Sequence, residues 1–246
     1  MSIFGSTIHR LDTVDSTNNY ANHLIEHNLA ENGTVVVADF QTQGKGQRDK
    51  QWLADQGMNL TCSFVFFPAN LSAERVYLIN CWVSYCLIQL LKKFGISSTV
   101  KWPNDIMVEN HKIAGILTEG VIQGEMVKVV TIGVGLNVNQ AHFGHLQATS
   151  MRRETGTLYS LEEMLLLLCN LLNEVPLESL QEIQWREKYK EAMYGLGETH
   201  AFVCNHQRLQ GIIEGISSTG QLEILVEGKR QTYSQGQINL EIPTVF

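Results

Sequence analysis

Two lysines, an aspartate and an asparagine crowd into Lys101-Trp102-Pro103-Asn104-Asp105 and, a few residues on, Lys112. Cations beside a carboxylate and a carboxamide can bind an anion or neutralise charge that develops in a reaction. The stretch between them reads as a β-hairpin: the apolar runs Ile106-Met107-Val108 and Ile113-Ala114-Gly115-Ile116-Leu117 flank Glu109-Asn110-His111-Lys112, with the turn near Asn110. Trp102-Pro103 stiffens the corner in front of it, because proline fixes its own φ and drives its predecessor toward extended geometry. A lysine taken alone is usually a solvated surface charge. The joint placement of these four side chains on one stiff frame points to chemistry.

A second polar segment runs from Gln41 to Trp52, with glycines at 44 and 46 and the cations Lys45, Arg48 and Lys50. Glycines let backbone N–H groups approach an anion closely, and the cations suit phosphate or carboxylate. The spacing matches neither a Walker loop nor a dinucleotide fingerprint. With little to bury, the loop is expected to lack fixed structure until an anion arrives. Asp49 within it has no assigned role beyond facing solvent or pairing with Lys50.

The 246 residues, 44% apolar and 17% charged, suffice for one large domain or a main domain with a small companion. A net charge of −7 argues against a general nucleic-acid binder, which carries a basic face. Cys62, Cys81, Cys86, Cys169 and Cys204 form no CxxC pair and are odd in number, so neither a zinc site nor a disulfide framework is indicated and a reducing cytoplasm fits best. The most apolar window, Met164 to Leu172, is far below the ~20 residues that span a bilayer. No membrane partner is expected.

The elements that must position these residues alternate along the chain. Ser16-Thr17 sits where it can cap a helix running to about Asn28. Val35 to Ala38 and Leu60 to Phe67 read as strands, and apolar spacing from Ala73 to Phe94 predicts a helix stopped by Gly95. A strand from Met126 to Val138 joins the hairpin's sheet, and helices return at Leu161 to Leu172 and Leu180 to Met193. Past Gly195-Leu196-Gly197 come short alternating segments, such as Ala201 to Val203, Leu222 to Leu225 and Gln237 to Leu240, which predict a small β-barrel. The expected fold is α+β, with residues 1–195 as the main unit and 196–246 as the small one.

In order and spacing, Ser16-Thr17-Asn18, the Gly44 to Trp52 loop, Lys101 to Asp105, Lys112 to Leu117 and Gly133-Val134-Gly135-Leu136-Asn137-Val138-Asn139 resemble biotin protein ligases over nearly the whole chain. The resemblance implies a mixed-sheet biotin/lipoate ligase-like catalytic domain with a C-terminal SH3-like β-barrel. It also implies a two-step reaction. Biotin and ATP, with Mg2+, give biotinyl-5′-AMP and pyrophosphate, and a lysine of a biotin carboxyl carrier domain then takes the biotinyl group. Relatives often pair through the catalytic sheet, so a homodimer is compatible. Members that double as repressors carry a winged helix-turn-helix domain ahead of the core, and the Ser-Thr-Asn motif lies only fifteen residues from the start. A ligase with no DNA partner is expected.

By the same resemblance, Lys112 binds the carboxylate and then the acyl-phosphate oxygen, while Lys45, Arg48 and Lys101 hold the α-phosphate and leaving pyrophosphate. Ser16, Thr17, Asn18 and Gln41 meet the ureido ring, Gly44, Lys45, Gly46 and Gln47 surround biotin, and Gly115 lets a strand lie flat against it. Trp52 closes over the intermediate; with Arg48, Lys101, Asn104 and Asn137 it borders the nucleotide. Asp105 orients Mg2+, the nucleotide or the incoming lysine. Relatives usually begin the loop Gly-Arg-Gly, often have glycine where Asp49 stands, and in some cases have arginine where Gln47 stands. Lysine at 45 keeps the charge and loses the bidentate fork, so looser retention of the adenylate is expected. The competing readings are a lipoate or octanoate ligase or transferase of the same superfamily, and a non-catalytic biotin or nucleotide sensor.

Overall fold

The computed structural model describes residues 3–48 and 50–243; Asp49, with the expectation attached to it, lies outside the described residues. The chain opens with β1 (Ile8–Val14), α1 (Thr17–Glu26), β2 (Val35–Gln41) and β3 (Leu60–Phe66). There follow α2 (Tyr77–Lys93), β4 (Thr99–Lys101), the hairpin strands β5 (Asp105–Val108) and β6 (His111–Gln123), and β7 (Met126–Leu136). Next come α3 (Met151–Thr155), α4 (Leu161–Glu174) and α5 (Glu182–Glu191). The chain ends with β8 (Thr199–Cys204), β9 (Gln207–Ile216), β10 (Leu222–Val226), β11 (Lys229–Tyr233) and β12 (Ile238–Leu240).

Seven strands form one mixed sheet in the order β1-β2-β3-β7-β6-β5-β4. β1 lies parallel to β2, and the other neighbours are antiparallel. Side chains alternate across a strand, and here the alternation divides labour between the two faces. Leu60, Cys62, Phe64 and Phe66 of β3 and Val130, Ile132, Val134 and Leu136 of β7 join α2 and α4 in the main core. The opposite face takes the intervening residues. Part of it, Val36, Val65 and Val129, is covered by Ala21 and Leu24 of α1 in a smaller core. The rest carries Thr61, Ser63, Thr131, Gly133 and Gly135, which are polar or have no side chain. α2 is apolar almost all round and is correspondingly buried. Its Trp82 is fully enclosed, packs on Phe4 and Phe66, and donates its indole N–H to the Val175 carbonyl at 2.6 Å.

The mixed sheet, the hairpin and the all-β tail agree with the sequence expectations. Differences are local. The helix expected from Ala73 is a 3-10 turn over Ala73–Arg75 followed by α2. β1 escapes periodicity because it is an outer strand with only partial burial, and β4 and α3 are too short to show a period. The tail is a five-stranded antiparallel sheet, β11-β10-β9-β8-β12, whose outer strands β11 and β12 do not pair with one another to close a barrel; it is consistent with an SH3-like unit. Its apolar residues Phe202, Ile213, Leu222, Ile224 and Ile238 belong to the same continuous core as α2 and the main sheet. Among the described residues no helix is long and apolar enough to cross a membrane.

Truncating Trp82 to alanine removes a fully enclosed indole and leaves the Val175 carbonyl unpaired. It is expected to lower unfolding stability by about 3–5 kcal/mol, read as a shift in the urea midpoint at constant m-value.

Candidate active site

Three glycines shape the polar side of the sheet. Gly115 pairs with Gly135 across β6 and β7, and Leu117 pairs with Gly133. A Cβ at Gly135 would fall 2.4 Å from the Trp52 indole, and one at Gly115 would fall 3.3 Å from the same ring and 3.0 Å from Lys112 Nζ. A Cβ at Gly133 would fall 2.5 Å from Asn18 Oδ1. Each missing side chain is therefore the space that another site residue occupies. The register continues the row outward, Lys101 opposite Asp105, Asp105 opposite Gly115, Gly115 opposite Gly135. Strand pairing alone brings the charged corner alongside the glycine floor.

At one end of the floor stands a neutral polar cluster at the start of α1. Ser16 occupies the helix N-cap in extended geometry but makes no side-chain capping bond, so its hydroxyl is not used on the helix. Gln41 Oε1 accepts from the Thr17 backbone N–H at 2.8 Å and its hydroxyl at 3.1 Å. That fixes the carboxamide, with its NH2 turned toward Gly44. The Ser63 hydroxyl, fully buried on β3, lies 2.7 Å from Thr17 Oγ1 and 2.6 Å from Asn18 Oδ1 and donates to one of them at a time. Asn18 in turn donates its amide N–H to Glu119 Oε2 at 2.8 Å.

Charge is collected at the other end. Lys112 Nζ is 2.5 Å from Asp105 Oδ1, and Lys101 Nζ is 3.9 Å from Asp105 Oδ2, all three about a quarter to a third exposed. Burial lowers the pKa of Lys101, opposed by Asp105 and aided by Lys112 and Lys50. At the corner, Trp102-Pro103 is a cis peptide, the Trp102 indole donates to the Gly220 carbonyl at 3.0 Å, and Tyr189 donates to the Pro103 carbonyl at 3.0 Å. Asn104 ties the corner to the floor strand, its side chain donating to the Ile116 carbonyl at 2.6 Å. Asn137 is buried behind the hairpin, where it donates to the Thr149 carbonyl at 2.9 Å. It lines neither of the cavities described next, so its expected contact with a nucleotide is not direct in this conformation.

Two neighbouring cavities meet at Gln47 and Asn104. The first is lined by Ser16 to Asn18, Gln41, Lys45, Gly46, Trp52, Lys112 and the glycine floor. The second is walled by Arg48, Lys50, Lys101 and Asp105 on one side and by Gln235, Gly236 and Ile238 to Leu240 of the tail on the other. The expected cations therefore fall into two groups, Lys45 with Lys112 and Arg48 with Lys101. Lys45 donates to Asn19 Oδ1 at 2.5 Å, and Arg48, at a left-handed φ of +56°, reaches across to the Gln235 carbonyl at 2.5 Å. The described residues of the glycine loop hydrogen-bond to one another in this conformation. Gly46 donates to the Lys50 carbonyl at 2.8 Å and Trp52 to the Gly44 carbonyl at 2.9 Å, closing a small hairpin.

Trp52 lies on the glycine floor with Lys112 Nζ 5.5 Å from its ring centre, and its indole N–H is buried without a hydrogen-bond partner among the described residues. Leaving such a donor unpaired costs about 1–3 kcal/mol. Cys62 borders the first cavity, but its side chain lies on the core face of β3 and burial pushes its thiol far up, so it takes no part in the chemistry of the site. Sequence reasoning missed Ser63, Glu119 and the tail residues Gln235 and Gly236. Only Glu119 left a trace, as the polar end of the 101–119 stretch. Asp105 does not fit a protein-held Mg2+: both its oxygens face ammonium groups. Among the described residues no three His, Cys, Asp or Glu side chains converge to hold a metal.

Gly135→Ala is expected to expel the indole from the floor. The Trp52 contribution to emission, taken as the difference from a Trp52→Phe variant, should then shift to the red; an unchanged difference spectrum would remove the contact.

Known proteins resemble this chain in sequence and in fold. Residues 11–137 match the pattern of the biotin/lipoate A/B protein ligase family. The bifunctional ligase/repressor BirA of Bacillus spizizenii is 33% identical over 139 residues, 56% of this chain and 42% of that protein. The biotin–[acetyl-CoA-carboxylase] ligase of Paracoccus denitrificans is 27% identical over 213 residues, 82% of this chain and 88% of that protein. The chain thus spans about two fifths of the length of the bifunctional relative. Among solved structures, the biotin protein ligase of Aquifex aeolicus in complex with biotin and ATP superimposes with a TM-score of 0.78 at 27% identity, covering 97% of this chain and 100% of that one. With more than half of its residues inside the family pattern and the glycine-floored site built from that stretch, the chain belongs to the biotin/lipoate A/B protein ligase family.

Proposed function

We propose that the chain is a biotin protein ligase, activating biotin with MgATP and passing it to a lysine of a biotin carboxyl carrier domain. The observation that carries this reading is the polarity of the floor: neutral donors and acceptors at one end, a lysine pair about one carboxylate at the other. A ureido ring offers one carbonyl acceptor and two N–H donors. The Gln41 NH2, set free by the two bonds its oxygen accepts, meets the carbonyl; Ser16 and the oxygens of Thr17 and Asn18 meet the N–H groups. A flexible fatty acid would leave these buried groups without partners at about 1–3 kcal/mol each, which disfavours lipoate or octanoate. The relative that binds both biotin and ATP in its solved complex supports the same assignment.

The open space in the first cavity is about 50 Å3, against roughly 300–1,000 Å3 for small-molecule pockets. A bicyclic ring enters only if Trp52 lifts, after which the indole serves as a roof and its N–H can face the ligand. Gly115 and Gly135 keep the floor flat beneath the ring, with Gly44, Lys45, Gly46 and Gln47 at its rim. The carboxylate then lies at Lys112 and the ATP phosphates at Lys101, Arg48 and Lys50 in the adjoining cavity.

In the first step the biotin carboxylate attacks the α-phosphorus and the bond to pyrophosphate breaks. Two anions must meet, and the cations of a partly enclosed site offset their repulsion. Lys112 neutralises the attacking carboxylate and then the acyl-phosphate oxygen. Lys101, whose ammonium is held charged in a half-buried place by Asp105, faces the phosphate. Mg2+ enters with ATP, carried by its phosphates. Asp105 serves as the brace that fixes both lysines, and Asn104 and Asn137 hold the strands behind them. In the second step the acceptor amine attacks the acyl carbon and AMP leaves. Residues 1–195 form the catalytic unit and 196–246 the small one in this reading; a cytoplasmic location and a homodimer belong to the same proposal.

Biotin-dependent exchange of pyrophosphate into ATP is the direct test, since neither a lipoate ligase nor a sensor shows it with biotin. Lys112→Ala is expected to lower that exchange by at least a hundredfold with an unchanged far-UV spectrum; full exchange in the variant would overturn the assignment. Lys101 gives a second expectation, with opposite signs in two measurements. Its lowered pKa means that it sheds its proton below the ordinary lysine range, so KM for ATP should climb there as the cation is lost. Over the same interval the folded chain binds fewer protons than the unfolded chain, so stability should rise with pH. Lys101→Arg, permanently charged, should flatten both trends.

A further inference from the structure

One carboxylate, Glu119, lies close to the neutral polar cluster yet lines neither of the two cavities. Glu119 sits on β6 opposite Thr131 of β7, on the polar face of the sheet beneath α1. Two asparagines one helical turn apart face it. Asn18 donates its amide N–H to Glu119 Oε2 at 2.8 Å, and Asn22 points its own at the same oxygen at 3.5 Å. The remaining oxygens of both carboxamides are claimed by hydroxyls: Thr131 donates to Asn22 Oδ1 at 2.6 Å, and Ser63 lies 2.6 Å from Asn18 Oδ1. A carboxylate only accepts, so it dictates the orientation of each carboxamide it touches. Asn18, Ser63 and Thr131 are all buried, where a wrongly turned amide has no water to correct it.

We infer that Glu119 is a positioning residue for the ureido pocket, holding Asn18 with its NH2 turned away and its oxygen presented to the ring. The inference rests on the biotin reading above and adds a specificity determinant to it. Without Glu119, Asn18 turns over as readily as not, offers a donor where the ring also offers a donor, and the pocket loses its preference for a ureido group. The same tight fit explains Gly133: its missing Cβ is the space in which Asn18 Oδ1 is held.

Glu119 also borders the shallow cleft under the glycine loop with Lys45, Arg48 and Lys50, so a merely electrostatic anchor for that loop is the rival role. Kinetics of the exchange reaction separate the two. Glu119→Ala is expected to raise KM for biotin about tenfold and to leave kcat and KM for ATP within about twofold. Glu119→Gln, whose amide oxygen still accepts, should stay near the parent. Asn18→Asp places two carboxylates face to face and should lose at least as much as Glu119→Ala. Adding Glu119→Gln to Asn18→Asp restores a donor–acceptor pair of reversed polarity and should recover most of that loss. A change in KM for ATP with KM for biotin intact would overturn the inference in favour of a loop anchor. A double variant no better than Asn18→Asp would overturn it as well, and that comparison decides alone if thermal melts show Glu119→Ala unfolded. Absence of biotin-dependent exchange in the parent chain would instead overturn the ligase reading and this inference together.

Discussion

The site exists because the sheet has two faces that obey different rules. One face must supply the main core, so β7 places Val130, Ile132, Val134 and Leu136 on it. The residues between them, Thr131, Gly133 and Gly135, are left on the other face, and there bulk is excluded. Gly135 and Gly115 clear the floor for an aromatic ring, and Gly133 clears the seat of Asn18. A glycine in a strand interior is destabilising by roughly 0.5–1 kcal/mol relative to alanine, so three on paired strands weaken the sheet where the site lies. The apolar layer on the far face offsets that loss: Phe64, Trp82, Ile132 and Leu87 are completely enclosed.

Charge is handled by the same register. Lys101, Asp105, Gly115 and Gly135 follow one another across four strands, so Lys101 and the carboxylate are brought together by backbone pairing, while Lys112, paired with Met107, reaches the same carboxylate along its side chain. Two ammonium groups close together repel, and the single carboxylate between them makes their proximity tolerable. It does not cancel them. One positive charge remains over the set, and the pKa of Lys101 is lowered chiefly by burial, with Lys112 and Lys50 adding to it against the pull of Asp105. An anion entering between the lysines would relieve both. In the proposed reaction the anions supply that relief, so the strain in the resting cluster favours the encounter it is built for.

Much of this was legible in the sequence for a definite reason. The Lys101 to Glu119 stretch is a local hairpin with a two-residue turn over Glu109 and Asn110, and the residues of its floor and brace lie within nineteen positions, so spacing carries the information. The α1 cap and the strand with Gly133 and Gly135 were visible in the same way. Ser63 was not: it is one hydroxyl in an otherwise apolar buried strand, Leu60–Phe66, and its meaning arises only when β3 is laid beside β7 under α1. Glu119 was hidden for a similar reason, since its partners Asn18 and Asn22 lie about a hundred residues away. The glycine loop was read for its charge and not for its contacts. Composition could not show that Arg48 spends its guanidinium on the Gln235 carbonyl of the tail.

That last contact changes what the tail is. A small β-sheet after a catalytic unit reads as an appendage, but Gln235, Gly236 and Ile238 to Leu240 form the far wall of the cavity that holds Arg48, Lys50 and Lys101. Gly236, at φ +83°, has no Cβ because Arg48 occupies that space; a Cβ there would fall 1.1 Å from Arg48 Nη2. Phe202, Ile213 and Leu222 line the same cavity and also belong to the continuous main core, so the wall cannot shift without disturbing packing that reaches α2 and the main sheet. The loop that bears Lys45, Arg48 and Lys50 is therefore tied at its middle to the tail. An anion that draws Arg48 inward must break its bond to Gln235, so the tail sets the resting position of that guanidinium.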